Sequence, residues 1–319
     1  MKIEKKETNT ENYTYQSGLI CDSAQAGLLA VMPDGTLRAE NPAAFGGIES
    51  WKNVAAVSGG GWHAAVLRRD GTAVAAGEDG AGQCRVELWT ELKEVACGKF
   101  HTAGLRENGT VAASGDDREG QCEVSGWTEV ASLFCGPYLT CGLKKDGRVE
   151  IAGLTAEDRN RIRKWEQVTA LACSYHVAAI KEDGTASAAG RNAEGQCRIE
   201  SWRNLRAVAC GARHTAGLRE DGTVKAAGDN TFGQCSVHRW RKIRSVVCGD
   251  FCTVGLRENG TVVVAGYIPG GWGRIQSWQN IETVIAGRGR MIGILRDGSG
   301  ICSAGRVPGW KDTLNVKRL

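Results

Sequence analysis

The chain has 319 residues, with 40 lysines and arginines against 36 acids and a net charge of +4. That balance is too even for a dedicated nucleic-acid binder, and no apolar run is long enough to cross a membrane as a helix. Forty-four glycines against five prolines suit many tight turns in ordered structure rather than a linker.

Residues 1–17 are polar, contain no signal-peptide apolar region and predict a flexible arm. Residues 18–319 form one domain of repeats of about 38 residues. The punctuation is regular: Asp34-Gly35, Asp70-Gly71, Asn108-Gly109, Asp146-Gly147, Asp183-Gly184, Asp221-Gly222, Asn259-Gly260 and Asp297-Gly298. In phase with them run Trp51, Trp89, Trp127, Trp165, Trp202, Trp240, Trp278 and Trp310. Taking residues 91–127 as the example, Glu94–Gly98 and His101–Arg106 read as strands. Asn108-Gly109 is a hairpin turn in which both residues tolerate positive φ, Thr110–Ser114 is a third strand, and 115–120 is a polar loop. Gln121–Val124 is a candidate fourth strand leading to Trp127. Each unit is therefore a three- or four-stranded antiparallel meander with no helix. A unit this small must pack on its neighbours, which predicts an all-β protein: a single β-propeller of about eight blades, alternatively seven. The phased tryptophans are expected in the core between blades.

Ring closure requires the two ends to meet. Leu314 and Val316 after Trp310 echo the spacing of Trp202, Leu205 and Val208. Residues 312–319 are thus expected to join the blade containing Asp34-Gly35, in competition with 18–22, and to cover an otherwise open edge.

The run Val95-Ala-Cys-Gly-Lys-Phe-His-Thr-Ala-Gly-Leu105 resembles the signature of the regulator of chromosome condensation repeat family, as does Val208–Leu218. Val57–Leu67 matches with small changes, and the following Gly-x-Val-x-x-x-Gly and Gly-Gln elements also fit. The resemblance implies a propeller but no single function, because the family includes exchange factors, inhibitors and scaffolds. The short units are most similar to those of bacterial members, including the propeller-type β-lactamase inhibitory proteins. They lack the longer blades and inserted β-wedge of the eukaryotic exchange-factor relative.

Repetition argues against catalysis. Histidines 63, 101, 176 and 214 share one repeat position that holds Leu139, Cys252 and Arg290 elsewhere, which suits backbone hydrogen bonding near the inner strand. Cys84, Cys122, Cys197 and Cys235 follow Gly-Gln, whereas Cys97, Cys135, Cys173, Cys210 and Cys248 precede the inner turn. Spread around a ring, they cannot converge on one metal ion, and they read as small buried thiols. Thirteen cysteines without a signal peptide point to a reducing, cytoplasmic setting. The basic stretch His238–Arg244 reads as a solvated turn, and the sequons at Asn108 and Asn259 as by-products of the turn.

Function should sit where the repeat varies. The loop after each first strand and the loop after each third strand share one face. The first-strand loops carry Trp62, Phe100, Tyr138, Tyr175, Arg213, Phe251 and Gly289 at one position. The third-strand loops add Asp117, Arg118, Arg191, Phe232, Tyr267 and Trp272. Aromatics and arginine among polar groups are the composition of protein-interface hot spots, and the similar inhibitory propellers bind their targets with loop aromatics. The expectation is a monomeric, non-catalytic protein-binding propeller, acting as scaffold, inhibitor or regulator, with no cofactor, metal, nucleic acid or membrane partner. The alternative is a ligand- or glycan-binding propeller; an exchange factor or enzyme ranks third.

Overall fold

The computed structural model describes residues 20–23, 27–32, 34–45, 47–268, 275–287 and 289–303. The expected arm (1–17), Trp272, Trp310 and the tail 312–319 lie outside the described residues. Those described contain eight three-stranded antiparallel meanders, each with its strands in sequence order. They span 20–39, 54–77, 92–115, 130–153, 168–190, 205–228, 243–266 and 281–302, blades 1 to 8 in chain order. First strands of successive blades pack against one another and so lie nearest the axis. Blade 8 meets blade 1 through Leu28 and Ala30 against Ile285, Ile292 and Ile294, with Arg290 Nη1 2.7 Å from Glu40 Oε2. The ring closes with eight blades. The inner slot of blade 1 is filled by Ile20–Ser23, which pairs with Gly27–Val31. The N-terminal segment thus holds the edge for which 312–319 competed.

Each hairpin differs in detail from the sequence expectation. In blade 2, Arg68 N donates to Thr72 O at 2.8 Å and Gly71 N to Arg68 O at 3.0 Å. Gly71 has φ 77°, while Asp70 is absent from the positive-φ residues. This is a type I turn closed by one left-handed glycine, which gives the required twist with a single unusual residue. Asp70 serves through its carboxylate, accepting from Thr72 N at 3.0 Å and Thr72 Oγ1 at 2.6 Å. The turn also fastens blades. Val54 N donates to Gly35 O at 2.9 Å and Leu92 N to Gly71 O at 2.9 Å, and the series continues to Ile281 N on Gly260 O at 3.0 Å.

The described phased tryptophans occupy the expected blade junctions. Trp202 packs with Ile180 and Ala186 of blade 5 and with Leu205 and Val208 of blade 6. Trp89 does the same with Leu67 and Ala73 before it and Leu92 and Val95 after it.

Two local expectations fail. Gln121–Val124 is a turn and not a fourth strand. Side chains take the amides that a ladder would use: Asp117 Oδ1 accepts from Cys122 N at 2.7 Å, and Gln121 Oε1 accepts from Glu119 N at 2.9 Å. Secondly, the connection after blade 4 contains an α-helix, Ala156–Ile162. Its Thr155 cap accepts from Asp158 N at 3.1 Å, with Glu157 and Asp158 in the first turn and Arg159 and Arg161 in the last. That is the charge order the helix dipole favours. Ile162 is fully buried beside Trp165 and anchors the helix to the core.

Candidate protein-binding face

The repeated polar residues form fasteners between blades. His63 Nε2 lies 2.9 Å from Thr102 Oγ1, His101 3.0 Å from Thr140, His176 2.7 Å from Thr215 and His214 3.0 Å from Thr253. Each threonine belongs to the next blade. Its hydroxyl donates to the carbonyl of Gln83, Gln121, Gln196 or Gln234, at 2.8 Å in every case. With the single hydroxyl proton committed to that carbonyl, the histidine Nε2–H must be the donor to threonine. The expected backbone partner is therefore reached through a threonine relay. Burial pushes the imidazoles down, to about 4 for His101 and His214 and about 3 for His176.

The cysteines are a second set of fasteners. Cys97 Sγ donates to Ser58 O at 3.3 Å, Cys135 to Ala96 O at 3.5 Å and Cys210 to Ala172 O at 3.4 Å, each reaching back to the preceding blade. The Gly-Gln cysteines close their own loops: Cys84 Sγ donates to Glu78 O at 3.5 Å and Cys197 to Arg191 O at 3.4 Å. Burial raises Cys84, Cys122 and Cys197 to about 12 and Cys97 to about 11. Among the described residues, no three His, Cys, Asp or Glu side chains converge as metal ligands. The basic stretch is a turn only at its start: Ile243 and Arg244 open the first strand of blade 7, Trp240 and Ile243 are buried, and Arg241 Nη1 donates to the carbonyls of His238 at 2.9 Å and Trp240 at 2.8 Å.

The first- and third-strand loops lie together at one end of the ring. Backbone bonds tie them: Glu78 N to Trp62 O at 2.9 Å, Asp116 N to Phe100 O at 2.8 Å, Asp229 N to Arg213 O at 2.9 Å and Tyr267 N to Phe251 O at 2.8 Å. The aromatic series divides on this face. Phe100, Tyr138 and Tyr175, one from each of blades 3, 4 and 5, form a half-buried row with centroids 6.5 and 6.0 Å apart. Phe251 belongs to a second, exposed group, 5.6 Å from Phe232, which is 5.7 Å from Tyr267. Trp62 stands exposed on blade 2. Arg213 faces Glu194 at 3.9 Å, between the two groups.

The polar candidates are partly engaged within the chain. Arg118 forms a fork on Asp116, at 2.7 and 3.0 Å. Asp117 braces its own loop through Cys122 N, and Arg191 lies 5.9 Å from the Tyr175 centroid. Sequence reasoning missed Lys99. Its Nζ sits 5.0 Å from the Phe100 centroid and 5.5 Å from that of Tyr138, and donates to the Tyr138 hydroxyl at 3.1 Å. Its position just before the ring slot is the signal that could have found it.

The fold and this face define a closed β-propeller with one end built from variable loops. Residues 92–121 and 205–234 match the regulator of chromosome condensation (RCC1) repeat model, so these two segments are RCC1-type repeats within a propeller of the same kind. No curated protein matches the chain in sequence. In structure it is similar to yeast RCC1 (Prp20) bound to Kap60, with 16% identity and a TM-score of 0.55 over 96% of this chain and 84% of that one. It is also similar to the ectodomain of the receptor kinase CR4 from Physcomitrella patens, at 15% identity and a TM-score of 0.58, covering 82% and 76%. The CRINKLY ectodomain of Arabidopsis thaliana ACR4 aligns at 17% identity and a TM-score of 0.54, covering 75% and 91%. At these identities the likeness speaks for the fold alone.

Proposed function

We propose that the protein is a non-catalytic binding propeller, a scaffold, inhibitor or regulator, that engages a protein partner through its loop-built face. One observation carries this reading. Of the five large apolar side chains exposed among the described residues, four (Trp62, Phe232, Phe251 and Tyr267) belong to that face; the fifth, Leu88, lies in the connection before Trp89. Exposed aromatics grouped among charged residues favour a partner surface. The reading is compatible with yeast Prp20, which was crystallised with Kap60 and has binding properties to Gsp1p and histones. It includes a reducing, cytoplasmic setting, supported by thiols that act as hydrogen-bond donors to carbonyls.

The test is affinity capture from the source cell, followed by quantitation with the captured partner. Trp62→Ala with Tyr175→Ala should lower affinity at least about thirtyfold, as expected for the loss of hot-spot aromatics at ~2 kcal/mol or more. Arg148→Ala and Arg219→Ala, at the Asp-Gly end, should leave it unchanged. Equal weakening by both sets, or unfolding of the Trp62 variant, would remove the face assignment.

A further inference from the structure

We propose that Phe232, Phe251 and Tyr267 form a cradle for a cationic side chain, lysine or arginine, presented by the protein partner. The inference rests on the reading of the loop face as a binding face and names the chemistry that one part of it accepts.

Two aromatic groups on the same face differ in their cations. The Phe100–Tyr138–Tyr175 row already has its cations. Lys99 Nζ lies over Phe100 and Tyr138, and Arg191 lies over Tyr175. The second group has a similar spacing, 5.6 and 5.7 Å between centroids, with Phe251 edge-on to Phe232 at 69° and Tyr267 tilted to it at 34°. Yet no described cation lies over any of its three rings, and they are 50%, 39% and 49% exposed for Phe232, Phe251 and Tyr267. The Lys99 arrangement shows that two rings 6.5 Å apart hold one ammonium within 5.5 Å of both centroids. Ring faces attract a cation electrostatically, and more strongly as water is excluded.

The repeat register supplies a second argument. The residue before the ring slot is Lys99 in blade 3 and Asp250 in blade 7. Charge is reversed where the first group supplies its own cation. A further carboxylate, Asp229, sits in the loop that carries Phe232. Hydrogen bonds from Thr231 hold it below the usual carboxylate range, so it stays ionised at neutral pH. Carboxylates carried on the same loops as these rings favour a cation over an acidic side chain. The cradle is also held in place. Phe232 N donates to Gln234 Oε1 at 2.9 Å, and Tyr267 N to Phe251 O at 2.8 Å, so little ordering is needed on binding.

The test uses the full chain, carbon-13 labelled in its aromatic rings, titrated with tetramethylammonium, N-acetyl-arginine methylamide and its neutral isostere N-acetyl-citrulline methylamide. Saturable shifts are expected at Phe232, Phe251 and Tyr267 with the two cations, and binding of the citrulline compound should be weaker by about three- to thirtyfold. Phe232→Ala should weaken the cationic probes by a similar factor. Ala81 occupies the same repeat position in an intact loop, so this variant is expected to fold; Phe251→Leu, which keeps apolar bulk, is the second variant. No saturable shift, equal response to citrulline, or shifts unaffected by both variants would overturn the cradle. Those outcomes leave partner capture by Trp62 and Tyr175 standing, whereas loss of that capture effect with a cation-selective cluster would fault the face and spare the cradle.

Discussion

Thr140 illustrates how much one hydroxyl can hold. It accepts from His101 Nε2 of the preceding blade and donates to Gln121 O, and all of it is buried. Thr140→Val should therefore strand a donor and an acceptor together, costing about 1–3 kcal/mol for each group left unmet. The chain contains its own control, because Leu139 and Val177 fill the corresponding positions at the junction of blades 4 and 5 and pack in one apolar cluster. His101→Leu combined with Thr140→Val should thus cost less than the sum of the single changes in urea unfolding; simple additivity would refute the relay. The histidines also set a pH dependence. Unfolded, they take up protons near 6.5, but folded His101 and His214 do so only near 4 and His176 near 3. Their contribution is complete above pH 6.5 and declines as pH falls towards 4, because the unfolded chain binds more protons in that window. Melting temperatures should fall over that range, less steeply in the His101→Leu, Thr140→Val variant. The thiols give a third residue-scale expectation. With Cys97 raised to about 11 and Cys84, Cys122 and Cys197 to about 12, little thiolate exists at neutral pH. Native titration with a thiol reagent should find few reactive groups, and denaturation should release all 13; rapid native labelling of most would contradict the fastening role.

Among the elements, the helix after blade 4 replaces a Gly-Gln-Cys turn and takes over its duty. Elsewhere the loop supplies a carbonyl to the next blade, as Gly153 N donates to Gly120 O at 2.9 Å. Here Asp158 Oδ1 accepts from Gly190 N at 3.1 Å while Oδ2 accepts from Thr155 Oγ1 at 2.8 Å. Asp158→Ala should lower stability by about 0.5–2 kcal/mol, and Asp158→Asn, which keeps the acceptor, by less. Equal loss from both would mean that charge rather than the hydrogen bond matters. Close packing of strands on tryptophan gives a second test. A Cβ on Gly217 would come within 2.7 Å of the Trp202 ring, whereas Ala179 holds the same repeat position beside Trp165. Gly217→Ala is expected to cost about 1–3 kcal/mol by overpacking, read as a lower denaturation midpoint. Strand positions, turn glycines and tryptophan junctions were all legible in the sequence because each recurs at a fixed interval. The helix was not, since a single irregular unit has no register to reveal it. Nor was the turn at Gln121–Val124, where side chains compete for backbone amides in a way alternation does not show.

At the scale of the whole ring, closure rests on Ile20–Ser23 in the inner slot of blade 1 and on the seam between blades 8 and 1. Removing residues 1–26 should lower the melting temperature clearly, because it opens a strand edge and exposes Val54–Gly59, against which that strand packs. Glu40→Lys should also lower it by setting like charges at the seam with Arg290. An unchanged melting temperature for both would place the closure elsewhere. The sequence by itself determined the class of fold and the repeating unit, and it left seven or eight blades open, since periodicity records local hydrogen bonding and packing but not where the ring closes. Only the tertiary structure decided which neighbours meet. It paired each of the four repeat histidines with a threonine 39 residues on, and it placed the N-terminal strand in the inner slot. It also divided one aromatic series into a row with its own cations and a cluster over which no described cation lies. These are contacts between blades, and their geometry depends on how the ring curves, which no single repeat encodes.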